Sequence, residues 1–181
     1  TGRSGAMLLR GYDLAARLAQ PLALRWLRRR AGRGLEEPGR FGERLGRASQ
    51  QRPDGRLVWL HAASLGETRA LLPLLEAIRA HGLGVLVTTA TLSANRLAAA
   101  MLPAGTCLQL APLDLPRGLA GFLDHWRPGL AVLVESEIWP NRLAALAART
   151  VPVVVVNGRM SAESAGRWAR APGAARRVFG S

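Results

Sequence analysis

The 181-residue sequence has one cysteine, three histidines and no lysine. A single cysteine excludes an intramolecular disulfide and a Cys-based zinc site, and it fits a reducing compartment. Cys107 lies in the apolar run 106–110, where we expect a buried structural thiol rather than a nucleophile. Because the few histidines form no ligand-spaced cluster, the sequence predicts no protein-held metal.

Two glycine-rich phosphate-binding patterns are also missing. Gly-x-Gly-x-x-Gly does not follow the first predicted strand, and the P-loop pattern needs a lysine that the chain lacks. Dinucleotide oxidoreductases and P-loop NTPases are therefore disfavoured. Aromatic residues make up only 5% of the chain and no recognised nucleic-acid module occurs, so nucleic-acid binding would rest on charge alone.

No apolar run reaches the length of about 20 residues that a membrane-spanning helix needs. Residues 7–27 are nevertheless rich in Leu and Ala at helical spacing, although charges and Pro21 interrupt them, and four arginines follow within residues 28–33. This pattern predicts an amphipathic helix lying on an anionic membrane surface. The alternative is a helix packed against the domain or a partner. We assign residues 1–30 to this anchor helix and residues 31–55 to a basic connector.

The charge that is present has one dominant sign. All 25 basic residues are arginine, against 12 acidic residues, and the formal net charge is +13. A basic surface favours anionic partners, such as lipid headgroups or phosphorylated substrates.

Residues 56–181 alternate short apolar runs with helical patterns, which predicts an α/β domain with a parallel, doubly wound sheet. Strands are predicted near 57–61, 85–89, 106–110, 130–135 and 152–157, and helices near 67–80, 93–102, 116–126, 141–149 and 161–170. In such folds the active cleft lies beyond the carboxyl ends of the strands. Polar residues follow all five strands at this edge: His61, Ser64, Glu67, Thr88, Thr89, Asp114, Glu135, Glu137, Asn157 and Arg159.

Glu67 stands in the first turn of a predicted helix, three residues after Ser64. This is capping-box spacing, so Glu67 could simply complete the cap. The positive end of a helix also stabilises a carboxylate and weakens it as a base. The preceding Gly66 has no side chain, so that a substrate could come close to the backbone at this position. His61, at the end of its strand, is more often a structural histidine than a ligand.

The segment Glu135-Ser136-Glu137-Ile138-Trp139-Pro140-Asn141 places two carboxylates at a strand end. Like charges this close to an apolar strand carry a cost unless something binds them. One carboxylate could orient a substrate hydroxyl while the other pairs with Arg159. A helix cap with an ion pair is the alternative, and the sequence leaves open which of Glu135 and Glu137 faces the cleft.

Taken together, these segments resemble the N-terminal domain of the 3-deoxy-D-manno-octulosonic acid (Kdo) transferases. The resemblance spans nearly the whole chain, and its most specific parts are Ser-x-Gly-Glu and Glu-x-Glu-x-Trp-Pro-Asn. The matching segments, in the family's order, are Arg40-Phe-Gly-Glu-Arg44, His61-Ala-Ala-Ser-Leu-Gly-Glu67, Thr88-Thr-Ala-Thr91, Pro112-Leu-Asp114, Glu135-Ser-Glu-Ile-Trp-Pro-Asn141 and Asn157-Gly-Arg-Met-Ser161.

The resemblance implies the N-terminal, Rossmann-like half of a GT-B glycosyltransferase. It implies an inverting transfer from CMP-Kdo to the lipid A precursor, lipid IVA, on the cytoplasmic face of the bacterial inner membrane. The position matching the family's catalytic base is Glu67, and Glu135 and Glu137 match its second acidic pair. His61, Ser64, Gly66, Thr89, Asp114, Asn157 and Arg159 are the remaining candidates for binding the acceptor or supporting the site.

The resemblance also implies that no cofactor is needed and that the donor CMP-Kdo is held by a C-terminal domain. Because the sequence stops at Ser181, we expect the chain alone to lack donor binding and transfer activity. A membrane-peripheral module that binds anionic lipid without catalysis is the alternative function.

Overall fold

The computed structural model describes residues 2–135, 139–158 and 162–179 of the chain. Within these ranges a long N-terminal helix leads, through two short helical turns, into strands alternating with helices. The helices are α1 (Gly2–Ala31), a 3-10 turn (Pro38–Arg40), α2 (Phe41–Arg44), α3 (Leu65–Ala80), α4 (Leu92–Met101), α5 (Pro116–Trp126), α6 (Pro140–Ala147), α7 (Ala162–Ala169) and α8 (Pro172–Phe179). The strands are β1 (Leu57–Ala62), β2 (Gly84–Thr89), β3 (Cys107–Leu110), β4 (Leu130–Val134) and β5 (Val153–Val156).

The five strands form one parallel sheet in the order β3-β2-β1-β4-β5. From β1 the chain winds outward through β2 to β3, then returns to the other side of β1 for β4 and β5. The direction of winding therefore reverses between β1 and β4. In open parallel sheets this reversal leaves a crevice at the carboxyl ends of the two strands, which is where ligands bind.

Both faces of the sheet are covered, as a doubly wound fold requires. On one face, apolar side chains of β1 and β2 pack with Leu71 and Leu75 of α3. On the other face, Trp59 of β1 packs against Phe122 of α5, with ring centroids 4.8 Å apart. Every residue of β1 is buried, since this strand lies at the centre of the sheet.

The predicted α/β class, the parallel sheet and its five strands are confirmed, with strand and helix ends within about two residues of those expected from the pattern. The N-terminal helix assigned to residues 1–30 runs from Gly2 to Ala31, and so extends beyond the apolar pattern at residues 7–27. The pattern did not predict α8, nor the two helical turns inside the segment 31–55.

That segment carries a buried ion-pair network. Arg44 donates to both carboxylate oxygens of Glu36, at 2.9 and 3.0 Å, and both side chains are almost fully buried. The Arg44 guanidinium also donates to the carbonyls of Ala90 and Ala111, which follow β2 and β3. Glu43 accepts from the backbone N–H of Leu110, at the end of β3. A segment predicted only as a connector is thus fastened across the carboxyl ends of β2 and β3.

Helix α1 docks on the domain through one face and exposes apolar side chains on its outer surface. Leu27 and Ala23 are buried, and Tyr12 donates a 2.9 Å hydrogen bond to Asp114. The exposed face carries Met7, Leu8, Leu14, Leu18, Leu22 and Trp26, with exposures from 46% to 73%. In the part of the chain that is described, no helix combines the length and hydropathy needed to cross a membrane.

Candidate active site

The crevice between β1 and β4 has a carboxylate on each side. Glu67 follows β1 and lies in the first turn of α3, while Glu135 directly follows β4. His61 of β1 lies opposite Leu133 of β4 in the parallel register, so these two strands end side by side. Residues 136–138 lie outside the described part of the chain, and with them the predicted site residue Glu137.

Hydrogen bonds to the preceding loop fix the Glu67 carboxylate. Its Oε2 accepts from the Ala63 backbone N–H at 2.7 Å, and its Oε1 accepts from the Ser64 hydroxyl at 2.9 Å. The Ser64 hydroxyl in turn caps α3 by accepting from the Glu67 N–H at 3.3 Å. The Ser64 cap is therefore present, while the Glu67 carboxylate accepts from the Ala63 N–H and not from the Ser64 N–H of a capping box. Glu67 remains half-exposed, and each carboxylate oxygen has a further lone pair with which to accept a proton.

Gly66 lies beside this carboxylate on the open side of the helix. Its backbone has an ordinary helical conformation, and an added Cβ would meet nothing nearer than the Ser64 hydroxyl at 4.0 Å. The fold therefore does not require glycine here. A bare backbone at this place leaves room for a ligand to approach the first turn of α3.

His61 is fully buried on the other face of β1. Its Nδ1 shares a 2.8 Å hydrogen bond with the Thr88 hydroxyl, which also accepts from the Trp59 indole N–H at 2.8 Å. These bonds link β1 to β2 below the crevice. The geometry matches the structural alternative for His61, and acceptor binding by this residue stays a prediction.

Thr89 and Asn95 lie at the end of β2 and on α4. Thr89 is buried and donates to the carbonyl of Thr91 at 3.3 Å, while Thr91 caps α4 by accepting from the Ala94 N–H. Asn95 accepts from Arg40 at 2.7 Å, which ties the N-terminal segment to this loop. Thr89 thus stabilises the loop after β2, and its predicted role in acceptor binding is untested.

Asp114, in the loop after β3, caps helix α6 of the same chain. Its carboxylate accepts from the backbone N–H groups of Asn141 and Arg142, at 3.2 and 2.8 Å, in the first turn of α6. It also accepts from Tyr12 of α1. Burial raises the pKa of Asp114, and the hydrogen bonds from Tyr12 and the two amides oppose that shift. All the hydrogen bonds described for this carboxylate are to the protein itself, and its proposed contact with the acceptor stays a prediction.

Glu135 and Asn157 meet where β4 and β5 end. The Asn157 amide donates to Glu135 at 3.3 Å, and the Glu135 N–H donates to the Val156 carbonyl at 3.0 Å. Both residues have left-handed backbone angles, with φ of 55° and 51°. The predicted residue Arg159 lies outside the described ranges, so its pairing with either carboxylate stays a prediction.

Two further expectations concern metal and thiol chemistry. Across the described residues, no group of three His, Cys, Asp or Glu side chains could hold a metal ion. Cys107 is half-buried, and burial raises the pKa of its thiol, which therefore remains protonated near neutral pH.

Residues 39–181 match the model of the family described as 3-deoxy-D-manno-octulosonic-acid transferase (kdotransferase). The chain belongs to this family. Among similar curated proteins, a probable mitochondrial 3-deoxy-D-manno-octulosonic acid transferase of Arabidopsis thaliana is 39% identical over 91% of this chain and 37% of its own length. The 3-deoxy-D-manno-octulosonic acid transferases of Bordetella pertussis and Haemophilus influenzae are 41% and 32% identical, over 84% and 88% of this chain and 38% of their own lengths.

The chain thus spans less than two-fifths of the length of these Kdo transferases. Sequence reasoning missed two features of this Kdo transferase domain. One is the Arg44–Glu36 pair, for which the only signal was the Arg-Phe-Gly-Glu-Arg segment. The other is Arg142 of α6, which is buried with its guanidinium 5.7 Å from the centre of the Trp59 ring. The residue directly follows the Trp-Pro-Asn segment, and its position became evident only from the fold.

Proposed function

We propose that the whole protein transfers Kdo from CMP-Kdo to a hydroxyl of lipid IVA with inversion, and that Glu67 is the general base. The observation that supports this most strongly is the position of Glu67. It is a half-exposed carboxylate, held by two hydrogen bonds, beside the crevice at which the winding of the sheet reverses. The family relationship supplies the sugar and the reaction class.

In the proposed reaction the acceptor hydroxyl attacks the anomeric carbon of Kdo from the face opposite the CMP group. The new bond joins the acceptor oxygen to that carbon, and the bond from the carbon to the CMP phosphate oxygen breaks. The acceptor proton passes to Glu67, and the electron pair leaves with CMP. Because the helix terminus weakens Glu67 as a base, the proton transfers late, when bond formation has made the hydroxyl acidic.

The neighbouring residues would position the acceptor sugar. The open backbone at Gly66 lets a sugar ring approach the first turn of α3, so that a hydroxyl reaches the Glu67 carboxylate. Across the crevice, Glu135 and the Asn157 amide offer an acceptor and a donor to the other hydroxyls. The donor CMP-Kdo is assigned to a second domain, in keeping with the GT-B architecture that the family resemblance implies.

The same proposal places the domain on the cytoplasmic face of the inner membrane. Apolar side chains are exposed along α1 from Met7 to Trp26. Arginines at positions 10, 17, 25 and 28 are exposed along the helix. An exposed apolar face bordered by cations fits the interface of an anionic bilayer. Binding to such a membrane without catalysis is the second candidate function.

Replacing Glu67 tests the base. In the full-length protein carrying this domain, Glu67→Gln should lower Kdo transfer to lipid IVA by about 100-fold or more, since general-base catalysis contributes about 10²–10⁴. Glutamine can still accept from the Ala63 N–H, so the melting temperature should change little. Glu76→Gln is the matched control, because Glu76 lies exposed on the same helix. Transfer by Glu67→Gln at the wild-type rate would exclude Glu67 as the base.

The membrane assignment is tested by removing the apolar face of α1. The triple variant Leu14→Gln, Leu18→Gln and Leu22→Gln should lose most binding to vesicles of phosphatidylcholine with phosphatidylglycerol, measured by sedimentation. Leu97→Gln is the control, because Leu97 is a similarly exposed leucine on α4. If the triple variant binds as well as the control, α1 is not a membrane contact.

A further inference from the structure

A second concave site lies between α1, the loop after α2 and the start of α5. It is a pocket of about 450 Å³ that shares no residue with the crevice between β1 and β4. Three arginines reach it from three separate elements, namely Arg17, Arg47 and Arg117. Gln20 adds a polar group, and Pro21, Leu24 and Leu45 supply an apolar wall.

The backbone that carries two of these arginines is rigidly placed. Helix α2 ends in a Schellman motif, in which Gly46 has a φ of +85° and the Arg47 N–H donates to the Gly42 carbonyl at 2.8 Å. Gly46 lies directly against Gly118 of α5, so closely that a Cβ on Gly46 would stand 1.8 Å from the Gly118 carbonyl oxygen. This contact fixes Arg47 beside Arg117 in the first turn of α5.

The charges in the pocket are poorly compensated. Arg17 bonds Asp13 through its Nε at 2.7 Å. For the side chains of Arg47 and Arg117, no hydrogen bond or ion pair is found with any residue in the described ranges. The three guanidinium groups are exposed around one pocket, and together they would attract an anion to it.

We propose that this pocket binds a phosphate monoester group. A tetrahedral phosphate dianion offers three oxygens to donors from three directions, and arginine pairs with phosphate through two parallel hydrogen bonds. The amide groups at the start of α5, which no side chain caps, add a partial positive charge to the same pocket. The apolar wall accommodates the carbon skeleton that the phosphate esterifies.

The phosphate could be borne by a membrane lipid or by a soluble phosphorylated sugar or polyol, and the chemistry recognised is the same. This inference goes beyond the proposed transfer reaction and does not depend on it. Its test measures binding alone, so its failure would leave the assignment of Glu67 untouched.

The test compares two double variants of the 181-residue chain. Arg47→Gln with Arg117→Gln removes two pocket cations. Arg56→Gln with Arg127→Gln removes the same charge from exposed arginines at the opposite edge of the sheet. In the first arm, glycerol 3-phosphate is titrated and the backbone amide shifts of residues 46, 47, 117 and 118 are followed by NMR. In the second arm, phosphatidylcholine vesicles with phosphatidic acid, a monoester, are compared with vesicles carrying phosphatidylglycerol, a diester.

We expect the pocket variant to bind at least about tenfold more weakly than the control variant, since each charge-assisted hydrogen bond is worth about that factor. Binding of glycerol 3-phosphate with this difference assigns the pocket to soluble phosphate monoesters. The difference confined to phosphatidic acid vesicles assigns it to a lipid headgroup. Equal weakening in the two variants, or no binding in either arm, would overturn the proposal.

Discussion

The carboxyl edge of the sheet has two halves that are built differently. At the ends of β2 and β3, Arg44 and Glu43 bond the last backbone groups, and Glu36 lies beneath them as a buried counter-ion. At the ends of β1 and β4, the carboxylates of Glu67 and Glu135 are only partly buried, and their described bonds are to nearby loop groups. Strand ends that share one edge therefore serve different purposes.

The difference in burial between these two groups of residues indicates which group stabilises the fold and which can take part in catalysis. A carboxylate that is buried beneath a bidentate arginine cannot be reached by a substrate. A half-exposed carboxylate with a spare lone pair can. The comparison therefore predicts that substitutions in the first half lower the free energy of unfolding, while substitutions in the second half lower activity at nearly constant stability.

The largest effect should come from Arg44→Met. The substitution strands the Glu36 carboxylate, which is buried and would keep only a 3.2 Å bond to Arg30. Removing one partner of a buried pair typically costs about 3–5 kcal/mol. We expect a loss of this size in the free energy of unfolding, measured by urea denaturation with circular dichroism.

Arg149→Met is its control, because Arg149 pairs at 2.7 Å with Asp124 on the surface. An exposed pair of this kind contributes at most about 1 kcal/mol. Equal losses in the two variants would show that the Arg44 network is no more important than a surface ion pair, and the comparison would fail.

A pair of glycine substitutions gives the next largest contrast. Gly46→Ala puts a methyl group into the Gly118 backbone at a positive φ, and it should cost about 2–4 kcal/mol in unfolding free energy. Gly66→Ala places a methyl group in open space on a helix and should raise the free energy of unfolding by about 0.5–1 kcal/mol.

If a sugar approaches the backbone at Gly66, the same variant should raise the KM for lipid IVA. Thermal unfolding together with the transfer assay distinguishes these effects; unchanged KM would mean that Gly66 does not face the acceptor.

The smallest effect concerns the tether between α1 and the domain. Burial first, then the charge and hydrogen bond of Asp114, raise the pKa of Tyr12 above its usual range. Because the pKa is raised, the contribution of the Tyr12–Asp114 contact to the docking of α1 is complete below about pH 10. It is lost at higher pH, as the Tyr12 hydroxyl ionises. Tyr12 is the only tyrosine, so absorbance at 295 nm reports it directly. Asp114→Asn should move the midpoint of the Tyr12 titration down toward pH 10. A midpoint already at pH 10 in the wild-type protein would contradict the docked position of α1.

Local pattern was enough to predict the parallel sheet and its five strands. The buried strands are short, continuous apolar runs such as 57–60, and the helices between them have one apolar face, as in α3. The capping relation of Ser64 and Glu67 could also be predicted, because it depends on residues three apart in the chain.

Long-range partners could not be predicted in this way. Asp114 caps a helix that begins 26 residues later and contacts Tyr12 of α1, and the position of Asp114 after the third strand did not predict either partner. Arg44 was hidden in a segment whose glycines, arginines and proline are typical of an exposed linker. In each case the residue contacted is distant in sequence, and the local secondary-structure preference of one segment carries no information about such a contact.

The left-handed backbone at Glu135 and Asn157 has a consequence for how this edge can vary. Each such residue costs on the order of 1 kcal/mol relative to glycine, and asparagine tolerates the conformation better than glutamate. A chain selected for stability alone would place glycine at both strand exits and gain free energy. Glutamate at position 135 keeps a carboxylate at a φ of 55°, where glycine would cost less, and the hydrogen bond from the Asn157 amide holds that carboxylate at the strand exit.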